Sequence, residues 1–215
     1  MRPQNVAWKG KKMEKKDVSR RDKTRQMTIL AMFIAIIVVM GMVPFLGFIP
    51  LFGLSFQIIT IPVIIGAVIL GRRAGLILGT TFGVVSLIRG AMSGGFDFLF
   101  VLPWISILPR VIFGLIIYDV FQFFKKVIPK RIISLAVGFL VVTLIHTFMV
   151  VPLLATGFPI VFESPSIYEG VLKGEYGEGT IDFIENTQGF NTLIKWMFGV
   201  LITNGIGEAV LAMLI

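Results

Sequence analysis

Six runs of apolar residues divide this chain of 215 residues and limit what it can fold into. We expect each run to cross a hydrocarbon layer of about 30 Å as a helix. The chain is 56% hydrophobic and 15% charged, against roughly 45–50% and 25% in soluble domains. The runs lie at about 27–43, 57–70, 75–88, 104–124, 132–154 and 191–215. The sequence therefore predicts an all-α integral membrane protein, a bundle of six transmembrane helices.

The lysines and arginines between these runs predict which way the bundle faces. Sixteen of the twenty lie in residues 1–25, at Arg72-Arg73 and in the 125–131 turn, which six spans place on one side of the membrane. Because basic loops stay in the cytoplasm, both the N- and C-termini are predicted to be cytoplasmic. The chain then has a basic cytoplasmic tail (1–25), a six-helix membrane domain (26–215) and an extracellular acidic loop (about 156–190).

Several classes of function are disfavoured by motifs and residue types that the sequence lacks. It has no cysteine and a single histidine, His146, so we expect no metal site and no cofactor. It has neither a G-x-x-x-x-G-K-[ST] phosphate loop nor a G-x-S-x-G motif, so we expect no ATPase activity and no catalytic residues. The net charge of +8 follows the membrane topology, and no nucleic acid partner is expected.

Polar side chains inside the predicted spans are the candidates for a ligand site, because they are costly in lipid. Arg110 lies about two turns inside the fourth span, so a buried partner or an anionic ligand is expected. Arg89 and Lys195 lie near span ends, where their cations could instead reach the headgroups, and His146 could simply be a packing residue. The candidate substrate-binding residues are Arg110, Arg89, His146, Lys195, Gln57, Trp104 and Trp196.

The uncharged segment 47–53 is apolar but rich in glycine and proline, which disfavour a helix. Beside polar residues in the outer half of the bundle, it suggests a plug over a small-molecule pocket. Gln57, Trp104 and Trp196 could line that pocket. The alternative for each tryptophan is an ordinary interfacial anchor.

Small residues recur every fourth position on two predicted helices, a spacing that lets helix backbones approach closely in lipid. Gly71, Gly75, Gly79 and Gly83 form a row on the third helix, which we interpret as internal packing. The pair Ala31 and Ala35 on the first helix fits either bundle packing or a docking surface for another membrane subunit.

Two stretches carry a resemblance to a known family. They are Ile61-Pro62 through Gly71-Arg72-Arg73-Ala74-Gly75 to Leu87, and Ser106 to Gly114 with Pro109-Arg110. With the six helices, the basic tail, the alanine pair and the plug-like segment, the chain resembles the substrate-binding S component of energy-coupling-factor (ECF) vitamin transporters, most closely the pantothenate-specific members. The likeness covers about residues 25–215.

The resemblance implies a subunit of a bacterial cell (inner) membrane, multi-pass, that captures a vitamin outside the cell. It would then dock on a membrane T subunit driven by two ABC-type ATPase subunits, with Ala31 and Ala35 at the docking face. Pantothenate is the first choice of substrate, because Arg89, Arg110 or Lys195 could bind its carboxylate through charge-assisted hydrogen bonds.

Other functions stay open on the sequence. An S component for pyridoxine, hydroxymethylpyrimidine or another vitamin would use aromatic stacking and neutral donors. A membrane scaffold protein would have polar residues that pair only with one another. A secondary transporter is disfavoured because the spans lack a series of carboxylates for a proton relay.

Overall fold

The computed structural model describes residues 7–43, 46–51, 54–173 and 177–186, together with Lys195 and Gly199. Over these residues the protein is mostly helical, with one two-stranded antiparallel hairpin and one 3₁₀ helix. In chain order the elements are α1 (Ala7–Met42), β1 (Phe48–Leu51), β2 (Leu54–Gln57), α2 (Thr60–Leu70), α3 (Arg72–Met92), the 3₁₀ helix (Gly95–Val101), α4 (Pro103–Val127), α5 (Arg131–Ala155), α6 (Phe158–Glu163), α7 (Pro165–Leu172) and α8 (Gly177–Asn186).

Four helical segments in the described part of the chain are long and apolar enough to cross a membrane. They are Arg20–Met42, Arg72–Met92, Pro103–Val127 and Arg131–Glu163, which match the first, third, fourth and fifth predicted spans. The protein is thus a multi-pass helical membrane protein. The sixth predicted span, 191–215, lies outside the described residues except for Lys195 and Gly199. The six-helix count, the orientation of the termini and the domain boundaries therefore stay predictions.

The second predicted span, 57–70, is only partly a helix. Its helix α2 has 11 residues, about 16 Å at 1.5 Å per residue, roughly half of the hydrocarbon layer. Gln57 instead belongs to β2 and pairs with Phe48 of β1. Pro62 falls in the first turn of α2, where a backbone N–H has no partner within the helix anyway. The apolar run is therefore shared between a strand and a half-length helix.

Helix α3 lies at the centre of the bundle, where it packs against α1, α2 and α4, and α4 in turn packs against α5. A Cβ atom added at Gly75 or Gly79 would overlap a backbone carbonyl oxygen of α4, and one at Gly83 would lie 2.9 Å from the Cα of Ile107. These three glycines allow the two backbones to touch, as predicted for internal packing.

Gly71, the fourth glycine of the predicted row, does not take part in this packing. It has φ +92° and joins α2 to α3, and a Cβ atom built on it would meet nothing within 4 Å. Its role is conformational, because a positive φ at a tight turn favours glycine. This corrects the prediction that all four glycines share one helix face. We call this side of the bundle the Gly71 end and the opposite side the hairpin end.

The predicted acidic loop is folded into α6, α7 and α8 over most of its described length. The helices α7 and α8 pack on the 3₁₀ helix, which also contacts β2. Apolar residues of α6, α7 and α8 form one buried cluster with the 3₁₀ helix and with the adjoining ends of α4 and α5. The cluster includes Phe96, Leu99, Leu154, Val161 and Ile181. The hairpin end is thus closed by two structures, the strand pair and the three short helices.

Candidate functional site

The site begins with a break in the hydrogen bonding of α4. Pro109 lies inside this helix and has no N–H to donate to the carbonyl oxygen of Ile105, four residues earlier. The Arg110 side chain supplies the missing donor, with its Nη1 atom 2.6 Å from that oxygen. The Pro-Arg dipeptide therefore turns the arginine along its own helix and into the bundle, where its side chain is 0% exposed.

Two phenylalanines surround the Arg110 guanidinium. Its Cζ atom lies 4.5 Å from the ring centroid of Phe100 and 5.4 Å from that of Phe82, distances at which cation–π attraction stabilises a buried charge. Phe82 comes from α3 and Phe100 from the 3₁₀ helix. A cation is thus held in the hairpin-end half of the bundle, among aromatic rings and away from water.

His146 of α5 reaches the same aromatic group from the other side. It is 2% exposed, and its ring centroid lies 4.7 Å from that of Phe113 and 5.8 Å from that of Phe82. Neither ring nitrogen has a hydrogen-bond partner within the described residues, and neither has the buried Ser86 hydroxyl of α3. Buried polar atoms are normally satisfied, so these groups are suited to contact a bound molecule.

The β-hairpin covers this group and is fastened to the 3₁₀ helix. Phe48 of β1 packs on Phe82, with ring centroids 6.4 Å apart. The carboxylate of Asp97 accepts hydrogen bonds from the backbone N–H of Ser55, at 3.0 Å, and from the Ser55 hydroxyl. Gln57, at the end of β2, is buried with 6% of its surface exposed. The segment predicted as a plug, 47–53, thus contributes β1 of this strand pair over its described part, and its role as a plug stays a prediction.

The pKa of the Asp97 carboxyl is subject to opposing effects. Burial raises the pKa of the Asp97 carboxyl, while the hydrogen bonds from Ser55 and the positive charges of Arg89 and Arg110 act in the opposite direction. Arg89 lies half-buried in the last turn of α3. Of the three cations predicted at the site, Arg110 is buried within this group, and Arg89 lies near enough to Asp97 for its charge to oppose the rise in the pKa of that carboxyl.

Two other candidates do not join this buried group, and a third is not described. Trp104 is 42% exposed at the start of α4, which fits an interfacial anchor better than a pocket wall. Lys195 is exposed, and Trp196 lies outside the described residues.

The sequence did not single out Phe82, Phe100, Phe113 or Asp97 as site residues. For Phe82 and Ser86 a signal existed, because both follow Leu78 at four-residue steps on one face of α3. Asp97 is the single carboxylate between the third and fourth predicted spans. Its partner Ser55 is 42 residues away in the chain, and no local pattern connects the two.

Comparison of the sequence with known proteins places the chain in a family. The family model described as "ECF transporter, substrate-specific component" matches residues 25–215. The chain belongs to this family. It is therefore the substrate-recognising subunit of a transporter, a class distinct from enzymes. The match covers every element of the site described above, from the hairpin to α5.

Two curated relatives of this S component carry a substrate in their names. The chain is 28% identical over 195 residues to "Pantothenate transporter PanT" of Leuconostoc mesenteroides, an alignment that covers 87% of this chain and 92% of the relative. It is 31% identical over 119 residues to "Pantothenic acid transporter PanT" of Lactococcus lactis, covering 48% of this chain and 61% of the relative.

Proposed function

We propose that this S component binds pantothenate with high affinity at the hairpin end of the bundle and delivers it to an ATP-driven ECF transporter. The observation that carries the proposal is the fully buried guanidinium of Arg110, held among aromatic rings under the hairpin. Pantothenate is a small carboxylate, and the names of the two relatives point to the same substrate. A charge-assisted hydrogen bond to Arg110 would be strong in such a water-poor site.

The residues around Arg110 suggest how the rest of the molecule is bound. Ser86 and His146 offer polar atoms without partners among the described residues, and these suit the hydroxyl and amide groups of pantothenate. Phe48, Phe82 and Phe113 supply apolar surface for its methyl groups. A site with a few converging polar groups in an apolar wall is the usual design for a small ligand.

The hairpin is the proposed entry gate. It covers the site and is fastened to the 3₁₀ helix by the bonds from Ser55 to Asp97. Under the predicted topology the hairpin end faces outside the cell, so opening this contact exposes Arg110 to external substrate. Closure then removes the bound vitamin from water.

Delivery into the cell requires partners. In the proposed scheme the loaded subunit docks through the Ala31 and Ala35 face of α1 on a membrane T subunit driven by two ATPases. Both alanines are exposed, and the span that carries them is 11% buried, which leaves this face open to a partner helix. The cell location is a bacterial inner membrane.

A neutral aromatic vitamin such as pyridoxine or hydroxymethylpyrimidine is the second candidate. The rings of Phe82 and Phe113 both lie within 6 Å of the His146 ring, an arrangement that suits stacking on a heteroaromatic ring. Such a ligand would depend on the aromatic residues and only weakly on the charge of Arg110.

Calorimetric titration of the purified chain with pantothenate, pantothenol, pyridoxine and hydroxymethylpyrimidine separates these candidates. We expect one-to-one binding of pantothenate and a loss of roughly 1.5–3 kcal/mol for pantothenol, in which a hydroxymethyl group replaces the carboxylate. Arg110→Met should bind pantothenate and pantothenol about equally. Lys126→Ala, which removes an exposed cation of the same helix, should behave as the wild type. Equal affinity of the wild type for both compounds would remove Arg110 from the carboxylate site.

A further inference from the structure

A cavity lies at the Gly71 end of the described part of the chain, on the opposite side of the bundle core from the hairpin. It has a volume of about 490 Å³ and is enclosed by residues of α2, α4 and α5 and of the turn between α4 and α5. This volume is in the range of sites that hold small organic ligands, roughly 300–1,000 Å³. Neither Arg110 nor His146 borders it, so it is separate from the proposed vitamin site.

The polar part of this cavity favours an anion. Lys125 and Arg131 line it together with Gln122 and Ser134, and none of its lining residues is acidic. The nearby carboxylate of Asp119 is already engaged, at 3.6 Å from the guanidinium of Arg72. A phosphate group would meet two cations and neutral donors without a competing negative charge.

The apolar part of the cavity includes side chains that are exposed on the surface of the protein. Ile69 and Leu135 line it and are 63% and 37% exposed, on helices α2 and α5 of a membrane protein. Large exposed apolar side chains at this position would be covered by acyl chains. The ligand that fits both parts therefore has an anionic phosphate head and an apolar tail.

We propose that this cavity binds the headgroup of an anionic phospholipid from the leaflet at the Gly71 end. Basic pockets between transmembrane helices on the cytoplasmic side have this chemistry, and the predicted topology places the Gly71 end there. The proposal rests on that topology and not on the identity of the vitamin. Helix α1, with Ala31 and Ala35, packs on α2 and α3, and none of the residues that line the cavity belongs to α1. A bound lipid would therefore leave the docking face accessible.

Native mass spectrometry of the full chain in a neutral detergent tests the proposal. The probes are dioleoyl phosphatidylglycerol, dioleoyl phosphatidylcholine and inorganic phosphate. We expect one phosphatidylglycerol to be retained per chain, and neither of the other two. The double variant Lys125→Gln/Arg131→Gln should bind phosphatidylglycerol roughly 10- to 30-fold more weakly. The charge-preserving variant Lys125→Arg/Arg131→Lys should retain most of the affinity.

The matched control is Lys126→Gln/Lys130→Gln, which removes two exposed cations of the same segment that do not line the cavity. It should bind phosphatidylglycerol as the wild type does. An equal loss of phosphatidylglycerol affinity in this control would show that the lipid responds to the general positive charge of the surface and not to the cavity, and would overturn the proposal. So would equal retention of phosphatidylcholine, while tight binding of inorganic phosphate would show a site for a soluble anion instead. Pantothenate titration of each variant reports separately on the vitamin site.

Discussion

Two rows of small residues share the same four-residue spacing in this protein but lie in opposite surroundings. Gly75, Gly79 and Gly83 of α3 are buried against α4. Ala31 and Ala35 of α1 are exposed. The spans that carry them differ in the same direction, with 44% of the α3 window and 11% of the α1 window buried inside the protein. The spacing predicts a face that a helix can approach, and the neighbouring helix determines what covers it.

The neighbour of the glycine row is itself adapted for close approach. Gly114 of α4 lies opposite Gly75, and a Cβ atom on either residue would overlap the carbonyl oxygen of the other. The alanine row has no such counterpart in the described part of the chain, since both residues remain exposed. We therefore assign the glycine row to the fold, docking remains the proposal for the alanine row, and four predictions test this division.

The largest effect is expected where bulk is added to the buried row. Gly79→Val would drive a branched side chain into the carbonyl of Arg110 and the Cα of Gly114, and should destabilise the fold by about 3 kcal/mol or more. The measurement is the yield of monodisperse protein in detergent and its melting temperature. Thr80→Val changes the next residue, which is exposed, and should leave both unchanged. A Gly79→Val protein that melts like the wild type would contradict the packing role.

Bulk added to the exposed row should leave the fold intact and block transport. With Ala31→Trp/Ala35→Trp we expect uptake by cells that carry the complete transporter to fall at least about tenfold, equivalent to about 1.4 kcal/mol. Pantothenate affinity of the purified chain should stay the same. The matched control is Met32→Trp/Ile36→Trp. These two residues are also exposed, and they lie about 100° around the helix axis from the alanine row. Loss of pantothenate binding in the alanine variant would place this row in the fold or the pocket.

The same contrast shows how far the sequence could predict the structure. Hydropathy located α3, α4 and α5 to within a few residues, because a long apolar run has few alternatives to a spanning helix. It also located the C-terminal end of α1, but that helix begins at Ala7, inside the segment predicted as a basic tail. Hydropathy could not divide 57–70 into a strand and a half-length helix, since short apolar runs suit both. An arginine deep in an apolar span predicted a buried functional group, and Arg110 is fully buried.

The partners of the site residues were beyond the reach of local patterns. The bonds from Ser55 to Asp97 and the contact of Phe100 with Arg110 form only when the hairpin and the 3₁₀ helix fold onto α3 and α4. At Gly71 the local pattern predicted a packing contact that the structure does not have. Its spacing matched the glycine row, but its positive φ assigned it to a turn.

A smaller and graded effect is expected within the glycine row when one methyl group is added. Gly75→Ala and Gly79→Ala place it against a carbonyl oxygen, whereas Gly83→Ala places it 2.9 Å from the Cα of Ile107. The first two should lower the unfolding free energy by roughly 1–3 kcal/mol. Gly83→Ala should lower it less, because its contact is the longest of the three, while the gain of about 0.5–1 kcal/mol from the better helix propensity of alanine is common to all of them. Melting temperatures of the three purified variants give the order, and a Gly83→Ala protein less stable than the other two would contradict it.

The smallest effect is expected when the exposed row is made smaller still. Ala31→Gly/Ala35→Gly keeps the close approach that a partner helix needs, at a cost of about 0.5–1 kcal/mol of helix stability per residue. We expect uptake to remain within about threefold of the wild type, with unchanged pantothenate affinity. If the row acts only by being small, glycine and alanine are interchangeable there and tryptophan is not. A loss of uptake as deep as that caused by tryptophan would show that the two methyl groups themselves contact the partner, and the docking face would then be specific to alanine and not to small residues in general.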